Sequence, residues 1–329
     1  MPPRPRATSA RCWPHRSPPT SCTWPGRRSN HRRNRVRIGT LRLGQGRAPA
    51  LVSGDRAALL AEAAASARVD VHGVIDTLSL VRDWTSMERP LRTIAERLDE
   101  LFDGGLSAHS LESLGAPIAR PGKIIAIGRN YADHARELGN DVPAEPLIFV
   151  KYTTAVSGPF DSIPRPSFVN DLDYEAELAV VIGHRGRDIS EADALDHVLG
   201  YCCANDVSAR TAQMATGQFV RGKSFDGFCP LGPAIVTRDE VGDAQDLRIT
   251  CHVDGETRQD SRTALMIFAI PTLIAHCSAA TTLEPGDIIL TGTPSGVAMG
   301  RTPPPWLQPG QLCEVEIEGV GRIANEVVA

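Results

Sequence analysis

The sequence contains no Cys-x-x-Cys pair and no cluster of Cys and His at zinc-binding spacing; its eight cysteines are scattered, apart from the neighbours Cys202 and Cys203. That usage excludes a disulfide-stapled scaffold and fits a reduced, cytoplasmic compartment. Long apolar runs are missing too. The longest, residues 264–275, is broken by Pro271 and Thr272 and falls short of the roughly 20 residues that a membrane span requires. The turn TGTPSG at 291–296 is no Walker loop, since it lacks Gly-Lys-Ser/Thr, and no fixed-period repeat occurs in the chain. Acidic residues are absent from residues 1–35, which hold nine Arg and seven Pro, so the rest of the chain sets 26 Lys and Arg against 39 Asp and Glu, a net −13. An acidic body is a poor phosphate binder, and neither nucleic acid nor a membrane is expected as a partner.

What remains is an ordinary globular composition, 329 residues with 42% apolar and 22% charged, long enough for about two domains. Residues 1–36 read as a disordered tail whose prolines block regular hydrogen bonding, and with it the amphipathic helix of a transit peptide. Alternatively the natural chain starts at Val36, where strand-like alternation begins. Residues 37–117 read as a small α/β module: a hairpin, a helix over 55–68 capped by Asp55, and a helix over 86–102 with Thr85 and Glu88 as its capping box and Gly104-Gly105 as its stop. Residues 121–329 change texture to short β-branched runs, KIIAIG, PLIFVK, ELAVVIG, PAIV, RITCHV, DIILTG and CEVEIEG, which predict a strand-rich domain. Its helices are expected over 131–138, 190–199, 208–215 and 266–279, the last entered by Pro271 at its first turn.

The segment DLDYEAELAVVIG carries the strongest chemical signal. Residues i and i+2 of a strand point the same way, so Glu175 and Glu177 share a face and run into a core-bound strand. Two carboxylates there repel and lose hydration at a cost of several kcal/mol per ion unless a cation compensates; otherwise the segment is a solvated edge. Asp206, closing the apolar run GYCCAND, offers a third carboxylate. Ligation by oxygen alone selects a hard dication, Mg²⁺ or Mn²⁺. In GRNYADHARE, His134 and Glu137 lie three apart on one helical face, where a carboxylate can orient an imidazole as a general base, or where both are simply surface groups. Arg210, Gln213, Lys223 and Asp226 supply polar and cationic groups that suit an anionic ligand, and Thr293 sits in the glycine-rich turn TGTPSG.

Taken in order, GRNYADHARE, DLDYEAELAVVIG, GYCCANDVSAR, GKSFDGFCPLGP and GTPSGV resemble the catalytic domain of the fumarylacetoacetate hydrolase family over residues 123–328. The resemblance implies an α+β fold, a mixed β-sandwich roll preceded by the small N-terminal module, and a homodimer. It implies Mg²⁺ or Mn²⁺ on Glu175, Glu177 and Asp206. His134 and Glu137 become a water-activating pair on a lid, with Lys223 also catalytic. Tyr131, Lys151, Arg210, Gln213 and Thr293 become substrate contacts. Where the family usually has Pro and Ser after the lysine, this chain has Tyr152 and Thr154. The implied activity is cleavage of a C–C bond in a 2-oxo or 1,3-dioxo acid of acylpyruvate or fumarylpyruvate type. Isomerisation, tautomerisation or decarboxylation of related intermediates of aromatic degradation is the alternative.

Overall fold

The computed structural model describes residues 36–329; apart from Val36, the tail expected over 1–36 lies outside them. The chain opens with β1 (Arg37–Leu43), β2 (Gly46–Ser53) and β3 (Arg56–Leu59), then α1 (Leu60–Ala67), α2 (Thr77–Arg82), α3 (Trp84–Ala95) and α4 (Leu98–Asp103). There follow β4 (Ile124–Gly128), α5 (Ala132–Glu137), β5 (Leu147–Lys151), β6 (Ala176–Ile182), β7 (Val198–Asn205), α6 (Arg210–Met214), α7 (Val220–Lys223) and β8 (Cys229–Thr237). The last part holds β9 (Arg248–Val253), β10 (Glu256–Arg262), α8 (Ile270–Ser278), β11 (Ile288–Leu290), β12 (Leu312–Ile317) and β13 (Gly321–Val328).

The principal strands form one mixed sheet in the order β3-β2-β1-β8-β7-β6-β11-β4-β5 and a smaller one in the order β10-β9-β12-β13. β6, β7 and β8 are buried along their whole length, which is why they read as continuous apolar runs rather than alternating ones. The small sheet packs over them, and its strands β12 and β13 bury alternate residues, the pattern of a sheet with one face on the core. Leu178 and Val180 of the large sheet share a single core with Ile249, Val315 and Ile323 of the small one. The large sheet also curls. The chain leaving β5 at one edge returns through Val156–Ser157 to pair in parallel with Cys229 and Pro230 of β8, giving the α+β roll.

Several expected helices change character. Residues 55–68 are not one helix: Gly54, at φ +58°, turns the chain so that Ser53 pairs with Arg56, and β3 precedes the shorter α1. The helix over 86–102 starts earlier and divides into α3 and α4, and the capping box belongs to Asp76 and Ser79 instead of Thr85 and Glu88. Gly104 is the expected stop. Residues 190–199 hold only a 3-10 turn at Ala194–His197, because Val198 onward pairs on both sides as β7, tertiary pairing overriding local propensity. Ser208 and Ala209 pair with Leu172 and Asp173, which delays α6 to Arg210. Pro271 does open α8. Among the described residues no helix is long and apolar enough to cross a membrane, and all six described cysteines are free and buried.

Candidate active site

Antiparallel pairing of Ala176 with Asn205 sets the start of β6 beside the end of β7. Glu175 and Glu177 therefore meet Asp206, whose backbone N–H donates to the Glu175 carbonyl at 2.9 Å. One carboxylate oxygen from each of the three lies within 4.8 Å of the others, and all three residues are buried.

Cations surround two of these acids and leave the third. Lys223 Nζ donates to Glu175 Oε2 at 2.6 Å and to Asp206 Oδ2 at 2.8 Å, while Lys151 Nζ bonds the other Asp206 oxygen and the Lys223 carbonyl. Arg210 pairs with Glu175 Oε1 at 2.8 Å and is held from behind by Asp173, whose Oδ2 accepts from Nε at 2.8 Å, and by Gln213, whose Oε1 accepts from Nη1 at 3.0 Å. Burial opposes ionisation of Glu175, but Lys223 and Arg210 outweigh it and lower its pKa from 4.5 to about 2. Glu177 goes the other way. Burial, and then the charges of Asp206 and Glu175, push its carboxyl well above 4.5, and its one hydrogen bond among the described residues comes from the Gly292 N–H at 2.8 Å.

Fully ionised, Asp173, Glu175, Glu177 and Asp206 against Lys151, Lys223 and Arg210 leave one net negative charge in a buried cluster. Such a charge is costly without a counter-ion. Each carboxylate oxygen has two lone pairs, so those already bonded to a cation keep one for a ligand bond. The donor set thus fits a hard dication on Glu175, Glu177 and Asp206.

Above the acids lies a cavity of about 140 Å³ lined by Glu175, Lys223, Arg210, Gln213, Thr293 and His134, among others. His134 Nδ1 is 2.8 Å from Glu137 Oε1, and the other Glu137 oxygen accepts the Gly296 N–H at 2.9 Å. With Glu137 as acceptor, the imidazole proton sits on Nδ1 and Nε2 is left as the base. Phe149 and Phe219, 5.6 Å apart edge to face, form an apolar wall against which Lys223 Nζ stands 5.3 Å from the Phe149 ring.

Of the residues singled out in the sequence, Glu175, His134, Arg210, Gln213, Lys223 and Thr293 line this cavity, whereas Glu177 and Asp206 lie beneath Glu175, Glu137 lies behind His134, and Tyr131 and Lys151 do not reach it. Lys151 is buried beneath Asp206. Tyr131 is 2% exposed and its hydroxyl has no hydrogen-bond partner among the described residues; burial, with Glu177 adding to it, raises its phenol far above the usual range. Asp226 is exposed, outside the site. At Tyr152 the backbone N–H donates to Ser224 Oγ at 3.0 Å, a bond that the family's proline lacks the hydrogen to make. Two residues escape sequence reasoning. Asp173 binds Arg210 and also accepts the N–H groups of Ala298 at 2.7 Å and Met299 at 3.0 Å; its alternation with Glu175 and Glu177 was the available signal. Gln259, on β10, gives no local signal at all.

An α+β roll with a buried acidic trio, a clamped arginine and a carboxylate-oriented histidine around a small cavity defines an enzyme site. Residues 123–328 match the fumarylacetoacetate (FAA) hydrolase C-terminal family, and the chain belongs to that family of hydrolases, isomerases and tautomerases. It is 51% identical over 215 residues to the mitochondrial oxaloacetate tautomerase FAHD2A of Bos taurus, spanning 65% of this chain and 68% of that one. The fumarylacetoacetate hydrolase of Exiguobacterium antarcticum superposes with a TM-score of 0.75 at 35% identity, over 89% of this chain and 99% of that one. The maleylpyruvate hydrolase of Sphingobium sp. SYK-6, solved with manganese(II) and pyruvate, gives 0.70 at 32% identity over 89% and 99%.

Proposed function

We propose that the protein is a dication-dependent tautomerase of a small 2-oxo dicarboxylic acid of the oxaloacetate class, working as a homodimer. The observation that carries this reading is the placement of the His134 Nε2 base, set by Glu137, across one small cavity from Arg210 and Lys223. At about 140 Å³ the space suits a compact acid; pockets for drug-sized ligands run about 300–1,000 Å³. The likeness to the bovine tautomerase supports it.

Mg²⁺ or Mn²⁺ on Glu175, Glu177 and Asp206 would supply Lewis acidity at the 2-oxo group. Arg210 binds the acid as a fixed positive charge on the cavity wall, held there by Asp173 and Gln213. Lys223 adds a fixed positive charge beside the developing enol oxygen. His134 takes the proton from the carbon next to the carbonyl, and Glu137 steadies the imidazolium that results. Return of that proton to oxygen completes the enol.

The enol absorbance of fresh oxaloacetate should decay faster with protein and Mn²⁺, without pyruvate appearing. His134→Ala should lower kcat by about 10²–10⁴-fold while Mn²⁺ affinity holds. A second reading, hydrolysis of an acylpyruvate, is favoured by the same pair, since an oriented imidazole also activates water. Pyruvate released from acylpyruvates, with oxaloacetate untouched, would replace the first reading by the second. Sedimentation equilibrium tests the dimer.

A further inference from the structure

Gln259 is the one fully buried residue of the otherwise polar strand β10, 1% exposed, and its amide reaches from the small sheet into the site. Oε1 accepts the Ala176 N–H, between two of the metal-binding acids, at 2.9 Å. Nε2 donates to the Pro294 carbonyl and to Thr293 Oγ1, each at 2.8 Å.

Two of these partners cannot exchange roles, because a backbone N–H only donates and a carbonyl only accepts. The amide therefore has one orientation, and an N–H faces Thr293 Oγ1. That oxygen must accept. A hydroxyl carries a single proton, and the Thr293 proton has no acceptor among the described residues, while Thr293 lines the cavity beside Arg210 and Lys223.

We infer that Gln259 is a positioning residue that fixes the Thr293 hydroxyl as a donor into the cavity, so that the site selects a ligand presenting an anionic oxygen there and disfavours one presenting only an N–H. The inference rests on the oxo-acid reading and deepens it. Selectivity of this kind is stronger than a shape preference, because a mismatched ligand leaves a buried donor unpaired.

The test is a double-mutant cycle on the Mn²⁺-loaded full chain, reading pyruvate binding by calorimetry and the KM and kcat for oxaloacetate. Thr293→Val, which keeps the shape and removes the hydroxyl, should weaken pyruvate by about ten- to a hundredfold, and Thr293→Ser should stay near the wild type. Gln259→Leu should raise KM more than it lowers kcat. Combined with Thr293→Val it should add nothing to the loss that Val alone causes. Losses that add, or Gln259→Leu leaving pyruvate affinity unchanged, would overturn the inference while oxaloacetate turnover by the wild type keeps the functional reading standing. A wild type that binds neither pyruvate nor oxaloacetate overturns both. If Gln259→Leu does not fold, Gln259→Met repeats the cycle, since its thioether fills the space and is still a weak acceptor for the Ala176 N–H.

Discussion

Glu175 and Glu177 share a strand face and a buried environment yet titrate in opposite directions, and that divergence makes the site testable residue by residue. Glu175, lowered to about 2, stabilises the fold fully above its unfolded value near 4.5 and loses that contribution as pH falls toward 2. Glu177, raised, is bound to its proton more tightly when folded, so the metal-free protein should lose stability as pH climbs from 4.5 through the elevated value. A dication must displace that proton, and Mn²⁺ affinity should rise with pH over the same window, approaching tenfold per unit. Glu177→Gln should flatten the alkaline limb of metal-free thermal melts. It should also cost more Mn²⁺ affinity than the roughly 10–100-fold that loss of an outer partner costs. A variant with unchanged affinity would show that Glu177 is no ligand. These three acids were legible because alternation places Glu175 and Glu177 on one face and an apolar run delivers Asp206. Gln259 was not, since it reaches Ala176 from 83 residues away in the chain and from another sheet.

At the level of elements, the turn after β11 couples the parts. Gly296 sits at φ +107°, and a Cβ there would collide with the Arg258 carbonyl oxygen; its N–H holds Glu137 and its carbonyl accepts from the Tyr174 hydroxyl at 3.1 Å. Gly296→Ala should therefore destabilise the fold by about 1–3 kcal/mol from backbone strain, with the clash in addition, and lower kcat by releasing Glu137. Melting temperature and kcat moving together would confirm this, and a silent variant would refute it. The turn's glycines were visible in the sequence. The strand character of residues 198–205 was less so, because helix and strand patterns of short apolar stretches look alike until pairing partners are known.

For the whole molecule, dividing the chain at residues 117–121 follows its texture, yet the hydrogen-bonded sheet passes across that division: Arg37 and Ile38 of β1 pair with Val236 and Ile235 of β8, and Arg37 pairs with Glu240 at 2.5 Å. No local pattern announces a pairing nearly two hundred residues apart. The N-terminal strands cover what would otherwise be an open, apolar edge, the arrangement that drives edge-to-edge association when exposed. A chain lacking residues 1–59 is accordingly expected to aggregate, and light scattering on the purified fragment reads it; a stable, monodisperse fragment would show that the edge needs no cover.

The surplus negative charge around Glu177 has a consequence for the sequence of events in solution. Stripped of its ion, the pit keeps a proton on Glu177 and exerts no net pull on the anion it is shaped to receive; loaded, it attracts that anion. Occupancy then favours the order ion before acid, so Mn²⁺ alone should protect the protein from heat, and oxo acid in the presence of a chelator should protect it far less.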